Sequence, residues 1–520
     1  MGFHSILFGS MEPELREEEP DFFHDLQLDY LLEQILAQGK SYQTEPYFYT
    51  FPKSKELILY RQQVCRDMES EELCVAVQDF CRRMQESRSL MDLSIKSKGE
   101  AQSATYHLQS ATLYFEALQQ LDKELQTLSL ASDGMKMFAG YVKQEIVKLK
   151  EAGFVAALTE ANRFFSELSF SLSMDPDKLM VTENEEDDRK DGKTASKDLQ
   201  KNYFEELNKL LGQEPEEKGY AMVDIFPDPL EISYLERILV GLLKKSKPKV
   251  FQTIRDFKEH FPIFYSEGLL RFEEEVQFYL CLQRFRTKTM GMGYPMELPN
   301  ISECQEFFGS GVYDLALVWK QAENDYTVVS NEFELKGKPS FFVVTGPNQG
   351  GKTTFARSMG QTVYFSLMGL YANADSFTMP MLQGISTHFE AEETLQSNSG
   401  KLKEEINRLL PMMSRIQNKK HFVILNELFT TATTHDAMLM GRKVMESFLK
   451  RECYGIYVTH IQELAEETEQ IISLVAQLKP GEEGKRSYRM LPMKAQGYGY
   501  SDALVKKFRL EYDDIIRRLS

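Results

Sequence analysis

One short segment of the chain has the residue types and spacing of a phosphate-binding loop. Residues 346–353 read Gly-Pro-Asn-Gln-Gly-Gly-Lys-Thr and satisfy the pattern GxxxxGK[ST]. Glycines let the backbone curl so that successive N–H groups point at one anion, and a helix N-terminus adds partial positive charge. In such a loop Lys352 reaches the β- and γ-phosphates of a nucleotide, and the Thr353 hydroxyl is a Mg²⁺ ligand. The pattern therefore predicts a bound nucleoside triphosphate.

A second segment could supply the groups that act on that triphosphate. The apolar run Phe422–Leu425 is followed directly by Asn426 and Glu427. Hydrolysis needs a metal-side group and a base that activates water, and a carboxylate suits the second task. An Asp is usual where Asn426 stands, and neutral hydrogen bonds contribute about 1 kcal/mol against roughly 1.5–3 kcal/mol for charge-assisted ones. We therefore expect Glu427 to be the base and Asn426 to weaken metal binding or turnover.

A histidine completes the candidate site. His460 follows the apolar run Ile456–Val458 after one threonine. At the carboxyl end of a sheet strand, a histidine beside the γ-phosphate can sense that group and orient the attacking water. A single histidine is more often an ordinary packed or exposed side chain. Its position after the two preceding motifs favours the sensor role.

The pattern of apolar residues predicts the elements that would position these groups. The runs Phe341–Val344, Phe422–Leu425 and Ile456–Val458 are separated by long helical or loop segments, as a parallel sheet requires. Upstream, apolar residues recur every three or four positions over 101–153, which predicts one long helix or two in series, and again over 254–279. The sequence thus predicts a multidomain α and α/β protein.

Composition limits the classes of function that remain. The 520 residues are 42% hydrophobic, enough to fill real cores, and 61 Lys and Arg oppose 79 Asp and Glu for a net charge of −18. This charge argues against a protein that coats DNA without specificity, so nucleic-acid contact needs a local basic surface. One candidate is Lys244, Lys245, Lys247 and Lys249, although a run of lysines is more commonly a solvated linker. The six cysteines show no CxxC spacing and the sequence has no recognisable leader or membrane span, which predicts free thiols in the cytoplasm.

The motif set resembles the ATPase domain of the MutS family. The resemblance rests on TGPNQGGKTT, YANADSFTMPMLQGISTHF, VILNE and YVTHIQEL, and extends more weakly into the helical part through ELILYRQQVCRDM. That family is an ABC-type branch of the P-loop proteins in which two subunits bury ATP at their interface. The resemblance therefore implies ATP, Mg²⁺ and a homodimer.

The resemblance also implies roles for individual residues. It places catalysis on Glu427, with Asn426 beside it, and sensing on His460, and it assigns the metal to Thr353 and Asn426. Nucleotide binding falls on Gly346, Asn348, Gly350, Gly351, Lys352, Thr353 and Thr354. Candidates for a signature that completes the partner subunit's site are Ser397, Ser399 and Gly400. An ordinary helix N-cap at Ser399 is an equally good interpretation of that turn.

The implied organisation has four parts. These are an N-terminal helical core segment at 1–100, lever helices at 101–308 with a charged mobile insert near 174–200, an ABC-type P-loop ATPase domain at 309–485, and a dimerisation segment at 486–520. Leu-Phe-Thr-Thr-Ala-Thr replaces the family's glycine-rich loop after Glu427, which together with Asn426 implies slow or conditional hydrolysis. No module with the family's Phe-x-Glu wedge precedes the helical core, so we expect a clamp on structured or branched DNA rather than on mispairs. A ribosome-associated ATPase and an ATP-binding scaffold with little turnover are the alternatives.

Overall fold

Contacts within the chain divide it into two units. The computed structural model describes residues 3–37, 42–166, 170–175, 178–183, 240–241, 243–321, 327–335, 338, 340–389, 400–416, 420–479 and 485–495. The first unit comprises Met1–Cys74, Leu128–Gly140 and Glu267–Ser520, and the second comprises Val75–Thr127 and Tyr141–Ser266. Helical and α/β parts are both present, as predicted, while the four-part division remains a prediction. Among the described residues, no helix is both long and apolar enough to cross a membrane.

Short helices open the first unit. They are α1 (Phe22–Leu26), α2 (Leu28–Leu36), α3 (Glu45–Tyr49) and α4 (Lys55–Asp67). Helix α4 begins after Ser54, whose side chain accepts a hydrogen bond from the Leu57 N–H and so satisfies one of the free donors of the first turn. Arg61 of α4 is completely buried, and its guanidinium donates to the carbonyl oxygens of Leu7 and Met368. This buried cation joins the N-terminal segment to the end of a later helix.

Long helices form most of the second unit. They are α5 (Glu71–Lys96), α6 (Glu100–Thr127), α7 (Asp133–Glu151), α8 (Phe154–Ser166) and α9 (Pro248–His260). The apolar positions predicted to form one face of α6, from Ala111 to Leu125, are buried. Reciprocal hydrogen bonds between Ser87 and Ser110 link α5 to α6. Residues 101–153 thus form two helices in series rather than one.

The predicted charged insert lies mostly outside the described residues. Strands β1 (Phe170–Asp175) and β2 (Lys178–Glu183) pair in antiparallel register. Of the range 174–200 predicted to be mobile, only the parts of 174–183 that belong to these strands are described. Mobility of the insert therefore stays a prediction.

The last part of the first unit alternates strands and helices. Its helices are α10 (Glu267–Gly291), α11 (Leu315–Gln321), α12 (Lys352–Leu367), α13 (Lys401–Arg415), α14 (Thr434–Leu449) and a 3-10 turn at Gln462–Ala465. Its strands are β3 (Asn300–Ser302), β4 (Phe307–Val312), β5 (Asn331–Leu335), β6 (Phe341–Thr345), β7 (Ser376–Pro380), β8 (Ile385–His388), β9 (Phe422–Asn426), β10 (Tyr454–Val458), β11 (Ile471–Leu478) and β12 (Arg486–Pro492). The three apolar runs predicted to be strands are β6, β9 and β10.

A six-stranded sheet positions the candidate site. Its order is β12-β11-β6-β10-β9-β8, with parallel pairing throughout except between β12 and β11. Strands β6, β9 and β10 are buried at every position, which explains their continuous apolar sequences. Val458 of β10 pairs with Val344 on one side and Asn426 on the other. The carboxyl ends of these three strands are therefore neighbours at one edge of the sheet.

A second, four-stranded sheet packs against the first. Its order is β3-β7-β4-β5, and β4 is antiparallel to both of its neighbours. Phe307 stacks on Phe422 of the six-stranded sheet, with 5.3 Å between ring centroids, and Phe333 contacts Phe342. This sheet places β5 and the residues before it beside the carboxyl end of β6.

Candidate nucleotide site

The loop after β6 has a backbone that only glycine adopts easily at two positions. Gly346 has φ +126° and Gly351 has φ +87°, and Gly351 caps the start of α12. A Cβ atom on Gly346 would lie 2.9 Å from the Cβ of Ala476, so a side chain would not fit. The N–H of Gly350 donates to the Pro347 carbonyl oxygen at 3.1 Å, which closes the curl. The loop therefore has the shape of an anion cradle at a helix N-terminus.

Lys352 lies inside this cradle. Its Nζ donates to the carbonyl oxygens of Gly346 and Pro347, at 3.1 Å each. Burial lowers the pKa of the Lys352 ammonium, and the nearby carboxylate of Glu427 partly opposes that shift. A lysine held against loop carbonyls can exchange those neutral acceptors for phosphate oxygens, which bind an ammonium more strongly.

Thr353 and Asn426 bring two oxygen atoms together. The Thr353 hydroxyl donates to Oδ1 of Asn426 at 3.1 Å, which links the first turn of α12 to the end of β9. Hydroxyl and amide oxygens are hard donors of the kind that Mg²⁺ accepts. Asn426 is largely buried and carries no charge. The pair could bind a metal, with less electrostatic attraction than a carboxylate would give.

Glu427 and His460 form a close pair from adjacent strand ends. Nε2 of His460 lies 2.9 Å from Oε1 of Glu427. The hydrogen bond from His460 lowers the pKa of the Glu427 carboxyl below its usual value, and it outweighs the opposing effect of burial. The Glu427 backbone adopts φ +53°, and its N–H donates to the Val458 carbonyl at 2.8 Å. Glu427 is therefore ionised at neutral pH and can accept a proton.

A cavity of about 570 Å³ brings most of the predicted residues together. The predicted residues that line it are Asn348, Gly350, Gly351, Lys352, Thr353, Thr354, Glu427 and His460. Gly346 and Asn426 do not line the cavity themselves, but each hydrogen-bonds to a residue that does. This volume is within the usual range for small-molecule sites. The assigned roles of these residues remain predictions.

The sequence motifs give no individual residue a role in the wall that faces the loop. Val328, Val329 and Tyr488 also line the cavity. Asn331 anchors β12 here, because its side-chain amide donates to the Tyr488 carbonyl at 3.2 Å and its Oδ1 accepts from the Met490 N–H at 2.8 Å. No spacing pattern connects these positions with the phosphate loop. The four-stranded sheet brings Val328 and Val329 near it through β5, and the pairing of β12 with β11 brings Tyr488.

Other predicted residues lie away from the described cavity. Ser397 and Ser399 are outside the described residues, and Gly400 is exposed at the start of α13 and does not line the cavity. Lys244 pairs with Glu100 at 3.4 Å in the second unit. Its neighbours Lys245, Lys247 and Lys249 are exposed there. Of the predicted dimerisation segment 486–520, only 486–495 are described.

Comparison with known proteins connects this geometry to a family. The model of MutS domain V matches residues 342–490. The match assigns residues 342–490 of this chain to MutS domain V. The matched region contains the whole phosphate loop, the Glu427 and His460 pair, and Tyr488.

Individual MutS-family proteins match this chain over stretches of similar length. The DNA mismatch repair protein MutS of Thermotoga maritima is 28% identical over 138 residues, which are 26% of this chain and 17% of that protein. DNA mismatch repair protein MSH4 of Arabidopsis thaliana is 26% identical over 149 residues, or 29% and 18% of the two chains. DNA mismatch repair protein MSH3 of Pyricularia oryzae is 28% identical over 128 residues, or 24% and 11%. The matches thus cover less than a fifth of these relatives.

Proposed function

We propose that this protein is a Mg²⁺-dependent ATPase with an ABC-type P-loop domain that converts ATP to ADP and phosphate. The observation that carries the proposal is that one cavity is lined both by a phosphate cradle and by an ionised carboxylate paired with a histidine. Binding alone needs the cradle around Lys352. The Glu427 and His460 pair adds what hydrolysis requires.

The residues present fit a triphosphate and its metal. The backbone of 346–351 is curled so that its N–H groups can bind an anion. The neighbours of Gly346 leave no room for a side chain at that position. Lys352 would hold the β- and γ-phosphates, and Thr353 with Asn426 would hold Mg²⁺. When bound, Mg²⁺ supplies neutralisation of the phosphate charge. The apolar side chains of Val328 and Val329, with the Tyr488 ring, suit the base of the nucleotide.

The chemistry of this chain then depends on one proton transfer. The Glu427 carboxylate accepts a proton from the attacking water, because its pKa is low enough to keep it ionised. His460 holds that carboxylate in place through the 2.9 Å contact and can turn toward the γ-phosphate side of the cavity. The low basicity of the Glu427 carboxylate and the neutral side chain of Asn426 both favour slow turnover.

Phosphate release from the purified protein tests hydrolysis, and nucleotide titration tests binding. Lys352→Ala should weaken ATP binding at least 10-fold, because a charge-assisted contact inside the cradle is lost, whereas Lys443→Ala at an exposed position of α14 should not. Glu427→Gln should lower turnover about 100-fold or more and keep binding. Unchanged ATP affinity in Lys352→Ala would overturn the site assignment.

An ATP-binding scaffold with little turnover is the second candidate, and Asn426 is the observation that favours it. The amide in place of a carboxylate reduces attraction for the metal at the end of β9. A parent protein that binds ATP with normal affinity, yet releases no more phosphate than Glu427→Gln, would establish the scaffold and remove the enzyme.

We further propose that ATP switches a homodimeric clamp on DNA. The relatives named above are DNA mismatch repair proteins, and the second unit exposes the lysines at 245–249. Structured or branched duplex is the proposed substrate rather than mispaired DNA. Lysines at such a surface would contact phosphates without reading sequence.

Three DNA ligands test this role. Branched, mispaired and plain duplexes are titrated with and without ATP, and the branched form should bind most tightly and respond to ATP. Changing Lys245, Lys247 and Lys249 to Ala should weaken binding and reduce its salt dependence. Equal, weak and ATP-independent binding to all three DNAs would reject the clamp, and cosedimentation with ribosomes under ATP would then support a ribosome-associated ATPase.

A further inference from the structure

A carboxylate outside the nucleotide cavity accepts a hydrogen bond from the turn that carries Glu427. Glu405 lies on α13, and its Oε1 accepts a hydrogen bond from the Phe429 N–H at 2.7 Å. The side chain is mostly shielded from water, with 18% of its surface exposed. His388, at the end of β8, places Nε2 3.8 Å from the same oxygen. The Glu405 carboxylate thus joins α13 to the residues that follow β9.

The turn that Glu405 contacts has unusual backbone dihedral angles. Glu427 and Phe429 are both non-glycine residues with left-handed conformations, at φ +53° and φ +62°. Side chains with a Cβ, and bulky ones above all, disfavour this region, so surrounding contacts must maintain it. The Phe429 ring is buried in the core beneath the sheet, and the Val458 carbonyl accepts from the Glu427 N–H. Glu405 supplies the matching contact at the other end of the turn.

We propose that Glu405 is a positioning residue for Glu427. Its carboxylate fixes the Phe429 peptide, which keeps the left-handed turn at 427–429 and so aims the Glu427 side chain into the nucleotide cavity. Helix α13 begins directly after Gly400, so the same contact ties the Glu427 carboxylate to the start of that helix. A displacement of α13 would move the base without altering the phosphate cradle. This inference rests on the proposed ATPase function.

Loss of the Glu405 contact should affect turnover rather than binding. Glu405→Ala is expected to lower kcat about 10- to 100-fold, with KM and ATP affinity within about 3-fold, because misplacement of a catalytic group by about 1 Å has effects of this size. Glu405→Gln keeps an acceptor oxygen and should recover most of the activity. Glu446→Ala removes an exposed carboxylate of α14 and should behave like the parent protein.

The backbone conformation gives a second, more specific test. Glycine adopts the left-handed region without steric cost, so in a Phe429→Gly background, which also loses the buried ring and is less stable, the turn depends less on Glu405. The loss of kcat caused by Glu405→Ala should therefore shrink at least 3-fold in that background. An equal loss in both backgrounds would overturn the inference.

Hydrogen–deuterium exchange separates this inference from the proposed function. Peptides covering 427–433 should exchange at least 10-fold faster in Glu405→Ala than in Glu446→Ala, whether or not ATP is turned over. Unchanged exchange would overturn the inference, as would faster exchange with the kcat of the parent. A parent without Mg²⁺-dependent turnover would overturn the proposed function instead, and the role of Glu405 in holding the turn would then be decided by exchange alone.

Discussion

Restoring a carboxylate at position 426 is the perturbation whose effect can best be worked out from the structure. Oδ1 of Asn426 lies 3.1 Å from the Thr353 hydroxyl, so a cation bound to that hydroxyl would be close to both oxygens. Asn426→Asp changes one atom of the side chain and adds a negative charge there. The substitution should therefore strengthen metal binding while leaving the shape of the site unchanged.

The change in Mg²⁺ binding is the balance of one attraction and two opposing contributions. Two unit charges about 4 Å apart attract by about 4 kcal/mol at an effective dielectric constant of about 20. Burial of position 426 and repulsion from Glu427, the next residue, cancel much of this gain. The difference between charge-assisted and neutral hydrogen bonds, about 0.5–2 kcal/mol, is the better guide to the net result. It corresponds to a Mg²⁺ half-saturation concentration roughly 2- to 30-fold lower.

Phosphate release at saturating ATP, measured across a range of MgCl₂ concentrations, checks this prediction. Asn426→Asp should shift the curve to lower Mg²⁺ or raise its plateau, and without Mg²⁺ it should lower Tm because the new charge is uncompensated. Asn407→Asp places the same charge on the exposed side of α13 and should do neither. An Asn426→Asp curve that coincides with the parent and with this control would refute the proposed metal position.

Two further predictions concern the cradle and the buried carboxylate of α10. Gly346→Ala should reduce ATP affinity at least 10-fold and destabilise the protein by about 1–3 kcal/mol, because φ is +126° and the new Cβ would meet Ala476. Gly140→Ala, at a helix position with open space, should leave ATP affinity at the parent value and keep or slightly raise Tm in titration and melting experiments. Burial raises the pKa of Glu275 to about 7 although Ser5 donates to it, so the folded state retains a proton that the unfolded state loses above pH about 4.5. The contribution of this group to the free energy of unfolding should fall by about 3 kcal/mol between pH 4.5 and 7, and denaturant unfolding of Glu275→Gln should lack that slope; an unchanged slope would contradict the raised pKa.

The parallel sheet and the grouping of the site could be predicted because their signals are local. Each strand is a continuous apolar run, and the chemical residue follows that run within two positions, at Gly346, Asn426 and His460. Parallel strands end at one edge of a sheet, so residues that follow neighbouring strands must meet. The structure follows this rule, because Val458 pairs with both Val344 and Asn426.

Features that depend on distant contacts could not be predicted in this way. The break between α6 and α7 is held by Asp67, whose carboxylate accepts from the N–H groups of Ala131 and Ser132. The four-stranded sheet consists of short strands drawn from both sides of β6, without a long alternating pattern. Tyr488 reaches the cavity through β12, and Phe429 adopts a left-handed conformation that its residue type disfavours. None of these features is indicated by a sequence pattern within a few residues of its own position.

A crystal structure of the protein with Mg²⁺ and a nonhydrolysable ATP analogue tests the central claim most directly. The account predicts that the triphosphate lies along the N–H groups of residues 350–353, within reach of the Lys352 ammonium. It also predicts that the carboxylate of Glu427 and the imidazole of His460 face the terminal phosphate. A cavity without nucleotide at saturating analogue, or side chains of Glu427 and His460 directed away from it, would contradict the account.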